Sequence, residues 1–460
     1  MHLVAGTARR AFTPDPGAEL MGYGARSGVS TGIHDPLFAR ALFLAPDGDP
    51  ARGIVLAAAD LCLLAPGQAR EVRERIAAET GVPADRTLIS CTHTHSGPDT
   101  GLGALLRGQA PPAYLTQLLD GIVAAASEAA GSPESASFRW CRSEARIGAN
   151  RRLAHGPVDP EVLVLRVDRA SGEPLALLFN YACHGTVLGH ENLEISADWP
   201  GVACATIERK TGANALFLLG AHADIDPRTR GLMDLAIAGQ SRGLGFDAVR
   251  ALGSEVAEAV LGAIGGNGAA PQTGPIAAAV TTLRLPVHLG SLEPDEASRA
   301  LGHRKRELAA WLGVTPETLP RLSELDGAVF RSVQELPVSE ARERIAQARL
   351  YVRDKTAPFF VGGAREVEVE LQVLRIGDCG LLGIPLEPTT EVGIDWKTRV
   401  RPRLPHAAVL GIANGWIRYL PHRRDLEHPL AHQHYEVLSS LLEPGASERI
   451  LDAAEALLEF

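Results

Sequence analysis

Residues 87–99 read TLISCTHTHSGPD. The run Thr87 to Cys91 is apolar and strand-prone, and Gly97 and Pro98 break the chain soon after it. Upstream lies a second apolar run, Gly53 to Leu61, and between the two an amphipathic stretch, Pro66 to Thr80, opens on a proline and ends at Gly81 with Pro83 just beyond. A proline at the start and a glycine past the end are helix punctuation, so the region reads as strand, helix, strand. His93 and His95 sit two residues apart at the end of the second strand. Alternation along an extended segment aims both imidazoles to one side, and loops at strand ends are where a rigid scaffold presents chemistry. A metal site fits that placement; so does the plainer reading of two polar residues flanking a turn.

Outward from this unit, strands are expected at Ser137 to Ile147, Val162 to Val167, Leu175 to Cys183, Ala215 to Leu219, Ile276 to Val287, Val367 to Ile376 and Ala408 to Ile412. Helices are expected at Pro112 to Ala130, Pro200 to Thr211, Ala248 to Ile264, Glu293 to Leu312, Ser339 to Arg353, Thr390 to Arg403 and Glu427 to Leu442. The mixture predicts an α/β fold with mixed β-sheets covered by helices. No fixed-period repeat is visible. A single large catalytic domain over 1–460 is the expectation, with a charged helical insertion at about 291–356 that either shapes a substrate entrance or forms a solvated outer layer.

The 460 residues carry 45 basic and 55 acidic side chains, a formal charge of -10, which argues against a nucleic-acid or anionic-membrane binder. The expected partner is a small-molecule substrate, without nucleic acid or stable membrane association and with room for a homo-oligomer. The six cysteines contain no CxxC pair, so neither a zinc ribbon nor a disulfide framework is indicated. The opening MHLVAGTARRAFTPDPG has no signal-peptide pattern and no run approaches a membrane span, which predicts a cytoplasmic protein.

Three further polar residues stand where apolar runs end. His184 closes LALLFNYAC, Glu387 follows LLGIPL and opens the next helix, and Tyr419 follows VLGIANGWIR. A zinc ion accepts imidazoles together with oxygen donors. Glu387 as a simple helix cap is the competing reading.

Taken in order, these segments resemble the neutral, alkaline-type ceramidase family. MGYGARSGVSTGIHDPLFARA resembles its opening segments, VLAAADLCLL its SADL strand, LISCTHTHSGPD its THTHSGP signature, YACHGTVLGHENLEISADWPG its HGTS and ISGDN region, IPLEPTT its PGEFTT, and NGWIRY the strand that ends in a zinc-bound tyrosine. The matches run through roughly residues 4–436. The resemblance implies a ceramidase-like catalytic domain with Zn2+ held by His93, His184, Glu387 and Tyr419, and His95 as the acid–base histidine beside it. It also marks two departures. Gly220, in LGAHADIDP, stands where the family's QSNAGD segment has a serine, and the chain stops soon after the tyrosine motif, before the place of the family's immunoglobulin-like domain.

The expected function is therefore a zinc-dependent, amidase-type hydrolase that turns a metal-activated water on an amide or ester bond of a small soluble substrate rather than on membrane ceramide. Alternatives are a zinc-dependent glycoside or lactone hydrolase on the same fold, or a non-catalytic zinc-binding homologue. Tyr419 either binds the metal or donates to an oxyanion. His222 offers a second basic group in the pocket or a helix cap; Asp224, like Asp198, orients a ligand histidine or makes a turn. Arg26, Arg151 and Arg152 are candidates to grip a substrate carboxylate, with salt bridging as their more ordinary fate.

Overall fold

The computed structural model describes residues 2–106, 108–230, 244–266, 270–288, 293–333, 335–361 and 363–459. An eight-stranded mixed sheet contains β1 (Leu3–Ala11), β2 (Phe38–Pro46), β3 (Ile54–Ala59), β4 (Thr87–Cys91), β5 (Glu134–Glu144), β6 (Glu161–Arg169), β7 (Pro174–Tyr181) and β8 (Asn214–Leu219), in the spatial order β8-β7-β6-β5-β1-β2-β3-β4. The pairs β3–β4 and β7–β8 are parallel, and the other neighbours are antiparallel. A second sheet, in the order β9-β10-β11-β12, holds β9 (Ile276–Pro286), β10 (Glu366–Ile376), β11 (Cys379–Gly383) and β12 (His406–Leu410).

Alternation along the strands divides the core into layers. Leu42, Leu56, Leu88, Trp140, Leu165 and Leu178 of the first sheet face Leu374, Ile376, Leu381 and Leu410 of the second. The opposite face of the first sheet, with Phe43, Val55 and Ile89, is covered by helices Pro66–Thr80, Leu115–Gly131, Asp198–Thr211 and Phe246–Gly265. Leu371, Val373, Leu382 and Val409 on the outer face of the second sheet pack under helices Thr390–Val400 and Ala446–Ala456. The result is helix, sheet, sheet, helix, and the mixed α/β expectation holds.

Local rules account for several boundaries. Helix Pro66–Thr80 begins on its proline, and the Gly81 N–H closes on Ala77 O from a left-handed φ of 75°. Strands β1 and β2 were not expected; β1 is Ala-, Gly- and Arg-rich and β2 is buried nearly throughout, so neither shows apolar–polar alternation. They nevertheless pair residue for residue from Leu3↔Pro46 to Ala11↔Phe38. Gly6 in β1 is required by close approach, since a Cβ there would lie 1.9 Å from Ala129 O of the covering helix.

The continuous helix expected over Glu427 to Leu442 is corrected. Helix Arg423–Glu427 stops, a short turn spans Ala431–Gln433, and a new helix covers Tyr435–Ser439. Pro429 pushes His428 into an extended conformation, φ -63° and ψ 136°, and ends the first helix there. The charged segment forms helices Pro294–Trp311, Leu322–Val333 and Val338–Val361 around their own apolar cluster, with Leu308, Leu325, Val329 and Ile345, which Leu438 joins. Among the described residues no helix is long and apolar enough to cross a membrane.

Candidate metal centre

Four strand exits are laced together by main-chain hydrogen bonds. The loop after β4 pairs with that after β7 through His95 N–H to Gly185 O, 3.2 Å. His184 N–H donates to Ile225 O at 3.0 Å, and Ala223 N–H to Pro388 O at 2.9 Å, which joins the exits of β7 and β8 to the segment after β11. Glu387 N–H donates to Arg418 O at 2.9 Å, and Glu387 lies directly opposite Tyr419 in a two-residue parallel bridge.

This lacing gathers His93, His184, His222 and Glu387, each no more than 3% exposed. One ligand atom from each lies within 4.8 Å of the others. His93 Nδ1 donates to Cys62 O (2.7 Å), His184 Nδ1 to Ile225 O (3.0 Å) and His222 Nδ1 to Gly220 O (2.9 Å). A carbonyl oxygen only accepts, so in all three rings Nδ1 carries a proton and Nε2 faces inward, with its lone pair free when the ring is neutral. Those Nε2 atoms stand 3.6, 3.6 and 3.5 Å from Glu387 Oε2. Trp416 Nε1 donates to the other oxygen, Oε1, at 2.7 Å, which orients the carboxylate.

The donor set fits a cation. Nε2 of His184 and His222 and Oε2 of Glu387 are buried with no hydrogen-bond partner, an arrangement that costs free energy unless something positive lies among them. Burial pushes the His222 imidazolium down to about 3. Burial also opposes ionisation of His93 and Glu387, but Cys62 and Glu387 hold His93 well above its usual value, and the histidines, His93 first, hold Glu387 well below. Three imidazoles and a carboxylate are the nitrogen and oxygen donors that zinc takes.

His95 borders the set. Its Nε2 lies 3.2 Å from His93 Nε2, Tyr23 packs edge-on against it at 4.8 Å, and Nδ1 is buried without a partner. Desolvation, then the neighbouring His93 and His184, lowers its pKa well below the ordinary range. Tyr419 is buried, its ring edge-on to Tyr435 at 5.3 Å; desolvation, with Glu387 and Tyr435, raises its phenol well above 10.

Other expected site residues lie elsewhere or are engaged. Asp224 accepts from Thr390 N–H (2.7 Å), Asn150 Nδ2 (2.9 Å) and Arg152 Nη2 (2.6 Å), so it braces loops and does not orient a histidine. Asp198 accepts the N–H groups of Val187, Leu188 and Trp199, fixing the turn after His184. The orienting acceptors are the three main-chain carbonyls. Arg151 is tied to Glu436 and Asp226, and Arg152 to Asp224 and Asp425. Arg26 donates to the carbonyls of Met21, Gly189 and Asn192. Sequence reasoning passed over Trp416 and Arg418 although both lie in NGWIRY, because only the tyrosine there was read as chemistry.

Fold and site together define a layered α/β protein with a buried three-histidine, one-carboxylate candidate metal centre at its strand exits. Residues 6–224 match the family model for neutral/alkaline non-lysosomal ceramidase, N-terminal. A neutral ceramidase of Mycobacterium tuberculosis is 27% identical over 448 residues, covering 87% of this chain and 68% of that protein. A neutral ceramidase of Pseudomonas aeruginosa is 25% identical over 485 residues, covering 96% and 70%. The crystal structure of the neutral ceramidase from Pseudomonas aeruginosa superposes with a TM-score of 0.72 at 22% identity, over 100% of this chain and 75% of that one, and a structure of ceramidase complexed with C2 gives 0.71 at 20%, over 100% and 76%. Over residues 6–224 the chain matches the neutral/alkaline non-lysosomal ceramidase family, and along most of its length it is similar to neutral ceramidases, which are hydrolases.

Proposed function

We propose that this protein is a zinc-dependent hydrolase acting on an amide or ester bond of a small soluble substrate, with His93, His184, His222 and Glu387 holding the metal. The observation that carries the reading is the convergence of the four buried ligand atoms, three of which have no protein partner. When bound, zinc supplies Lewis-acid polarisation of a carbonyl and lowers the pKa of water. The chain's own residues do the rest. Cys62, Gly220 and Ile225 fix the tautomers through their carbonyls, and Trp416 fixes the carboxylate, so the donor set is preorganised. His95, at the border of the set, is the imidazole placed to pass a proton to a leaving group. Tyr419, beside Glu387 in the bridge, contributes a neutral hydroxyl as donor to the developing oxyanion.

Gly220 supports water as the nucleophile. A Cβ at this position would meet Ala182 Cα and N and Tyr181 C at 3.1 Å, all main-chain atoms, so a serine side chain does not fit without backbone movement. The experiment is metal analysis of the purified protein and of His184→Ala, alongside hydrolysis of N-acyl amines, N-acyl amino acids, lactones and glycosides with and without chelator. The expected result is about one zinc per chain, lost in the variant, with chelator-sensitive cleavage of an amide or ester. Less than about a tenth of a zinc per chain, or an active metal-free His184→Ala protein, overturns the reading.

A further inference from the structure

Near the centre Arg26 is taken up by three main-chain carbonyls, and Arg418 differs both from it and from the arginines that have carboxylate partners. Arg151, Arg152 and Arg349 each pair with a carboxylate, from Glu436 and Asp226, from Asp224 and Asp425, and from Asp326. Arg418 pairs with none among the described residues. Its guanidinium lies against the rings of Phe360 and Trp416, 5.6 and 5.3 Å from their centroids, the two rings themselves meeting edge-on at 5.8 Å, and Nη2 donates to Thr356 Oγ1. Nε is buried with no hydrogen-bond partner. Two aromatic neighbours and a hydroxyl leave a cation without a compensating anion and with part of its donor fork unused.

The backbone adds a second, independent observation. Arg418 has φ of +93°, a conformation that glycine adopts freely and that L side chains rarely take. Strain of this kind persists where the surrounding structure over-determines it, and it collects at binding sites. The position is also close to the chemistry: Arg418 O receives the Glu387 N–H, and the indole under the guanidinium is the one that donates to Glu387 Oε1.

We propose that Arg418 receives a free carboxylate carried by the substrate, so that the bond cleaved at the donor set belongs to a small acyl compound with an acidic group, an N-acyl amino acid in chemical class. This rests on the hydrolase reading above. The planar fork can donate two parallel hydrogen bonds to a carboxylate, with the Phe360 and Trp416 rings packed beside it, and a neutral amide in the same place leaves the cation uncompensated. Specificity of this kind comes from the penalty on the neutral analogue as much as from the grip on the charged one.

The test uses calorimetric binding of N-acetylglycine and of the neutral N-acetylglycinamide to wild type, Arg418→Gly and Arg418→Lys, each chelator-stripped and zinc-loaded. Wild type is expected to prefer the carboxylate by about tenfold or more in both forms, a charge-assisted pair being worth at least that factor. Arg418→Gly should lose the preference while keeping or raising its Tm, because glycine relieves the positive φ; a residue with only a packing role would lower the Tm. Arg418→Lys should keep a fraction of the preference without the bidentate geometry. Equal binding of the two probes by wild type, or a preference that survives in Arg418→Gly, overturns the proposal. A carboxylate preference in stripped protein that then takes up no zinc would uphold Arg418 and sink the zinc reading, so the two failures are distinguishable.

Discussion

A single proton on Nδ1 decides what each of the three inward histidines can do. With that proton held by a main-chain carbonyl, Nε2 of the neutral ring is an acceptor only, and three Nε2 atoms face a carboxylate oxygen across 3.5 to 3.6 Å. The carboxylate is fixed in the same way from its far side by Trp416 Nε1 at 2.7 Å. Removing that one donor should loosen the metal without disturbing the packing, because Phe fills most of the space of Trp416 and can keep the edge-on contact with Phe360. Trp416→Phe is therefore expected to weaken zinc binding by about ten- to a hundredfold, the usual cost of losing a group that orients a metal ligand. Competition with a chromophoric chelator measures it, and an unchanged affinity would show that Glu387 needs no such support.

At the scale of elements, the segment 423–439 carries the prediction on pH. His434 precedes helix Tyr435–Ser439, and its Nδ1 is buried without a partner. Burial first, then the Arg152 guanidinium and His428, lowers its pKa from 6.5 to about 4. The folded protein thus resists a proton that the unfolded chain accepts, so stability is full above 6.5 and falls as pH drops toward about 4. His434→Gln removes the titration: comparing urea midpoints at about pH 7 and about pH 5, wild type should lose more stability than the variant. Parallel losses would assign the acid sensitivity elsewhere. The same segment shows what sequence conceals. The apolar spacing of Glu427 to Leu442 suggests one helix, and Pro429 divides it. Helix Pro66–Thr80, with its proline and glycine at the two ends, was legible to the residue. Strand β1 was not, since its pairing with β2 and the contact of Gly6 with Ala129 are long-range facts. In the site, His93, His184 and Glu387 stood out because each follows an apolar run. His222 lay between two equal readings, and its convergence with the others depends on how β8 exits beside β7. The carbonyls that orient the histidines were hidden altogether, as every residue has one and no letter marks those that will face a histidine.

For the whole molecule, the centre joins parts of the chain that pack as separate layers. His93 follows β4 at one edge of the eight-stranded sheet, His184 and His222 follow β7 and β8 at the other, and Glu387 comes from the segment after β11 of the second sheet. A cation bound here cross-links both edges of one sheet to its partner, and the unfolded chain, with these residues far apart in sequence, offers no comparable site. Binding to the folded state alone stabilises it by RT ln(1 + [L]/Kd), about 4 kcal/mol when free metal is a thousand times Kd. A chain of this length has an unfolding entropy of roughly 1 kcal/mol per degree, so that stabilisation raises the Tm by only about 4 °C. Scanning calorimetry with zinc and with excess chelator is expected to show a shift of that order. The shift should grow with zinc concentration and be absent in His184→Ala, whose Tm should already match that of the chelated wild type once the packing lost with the ring is allowed for. A wild-type Tm indifferent to zinc and chelator would mean that the four donors do not bind the metal in the folded state, and the proton on His93 would then be what balances Glu387.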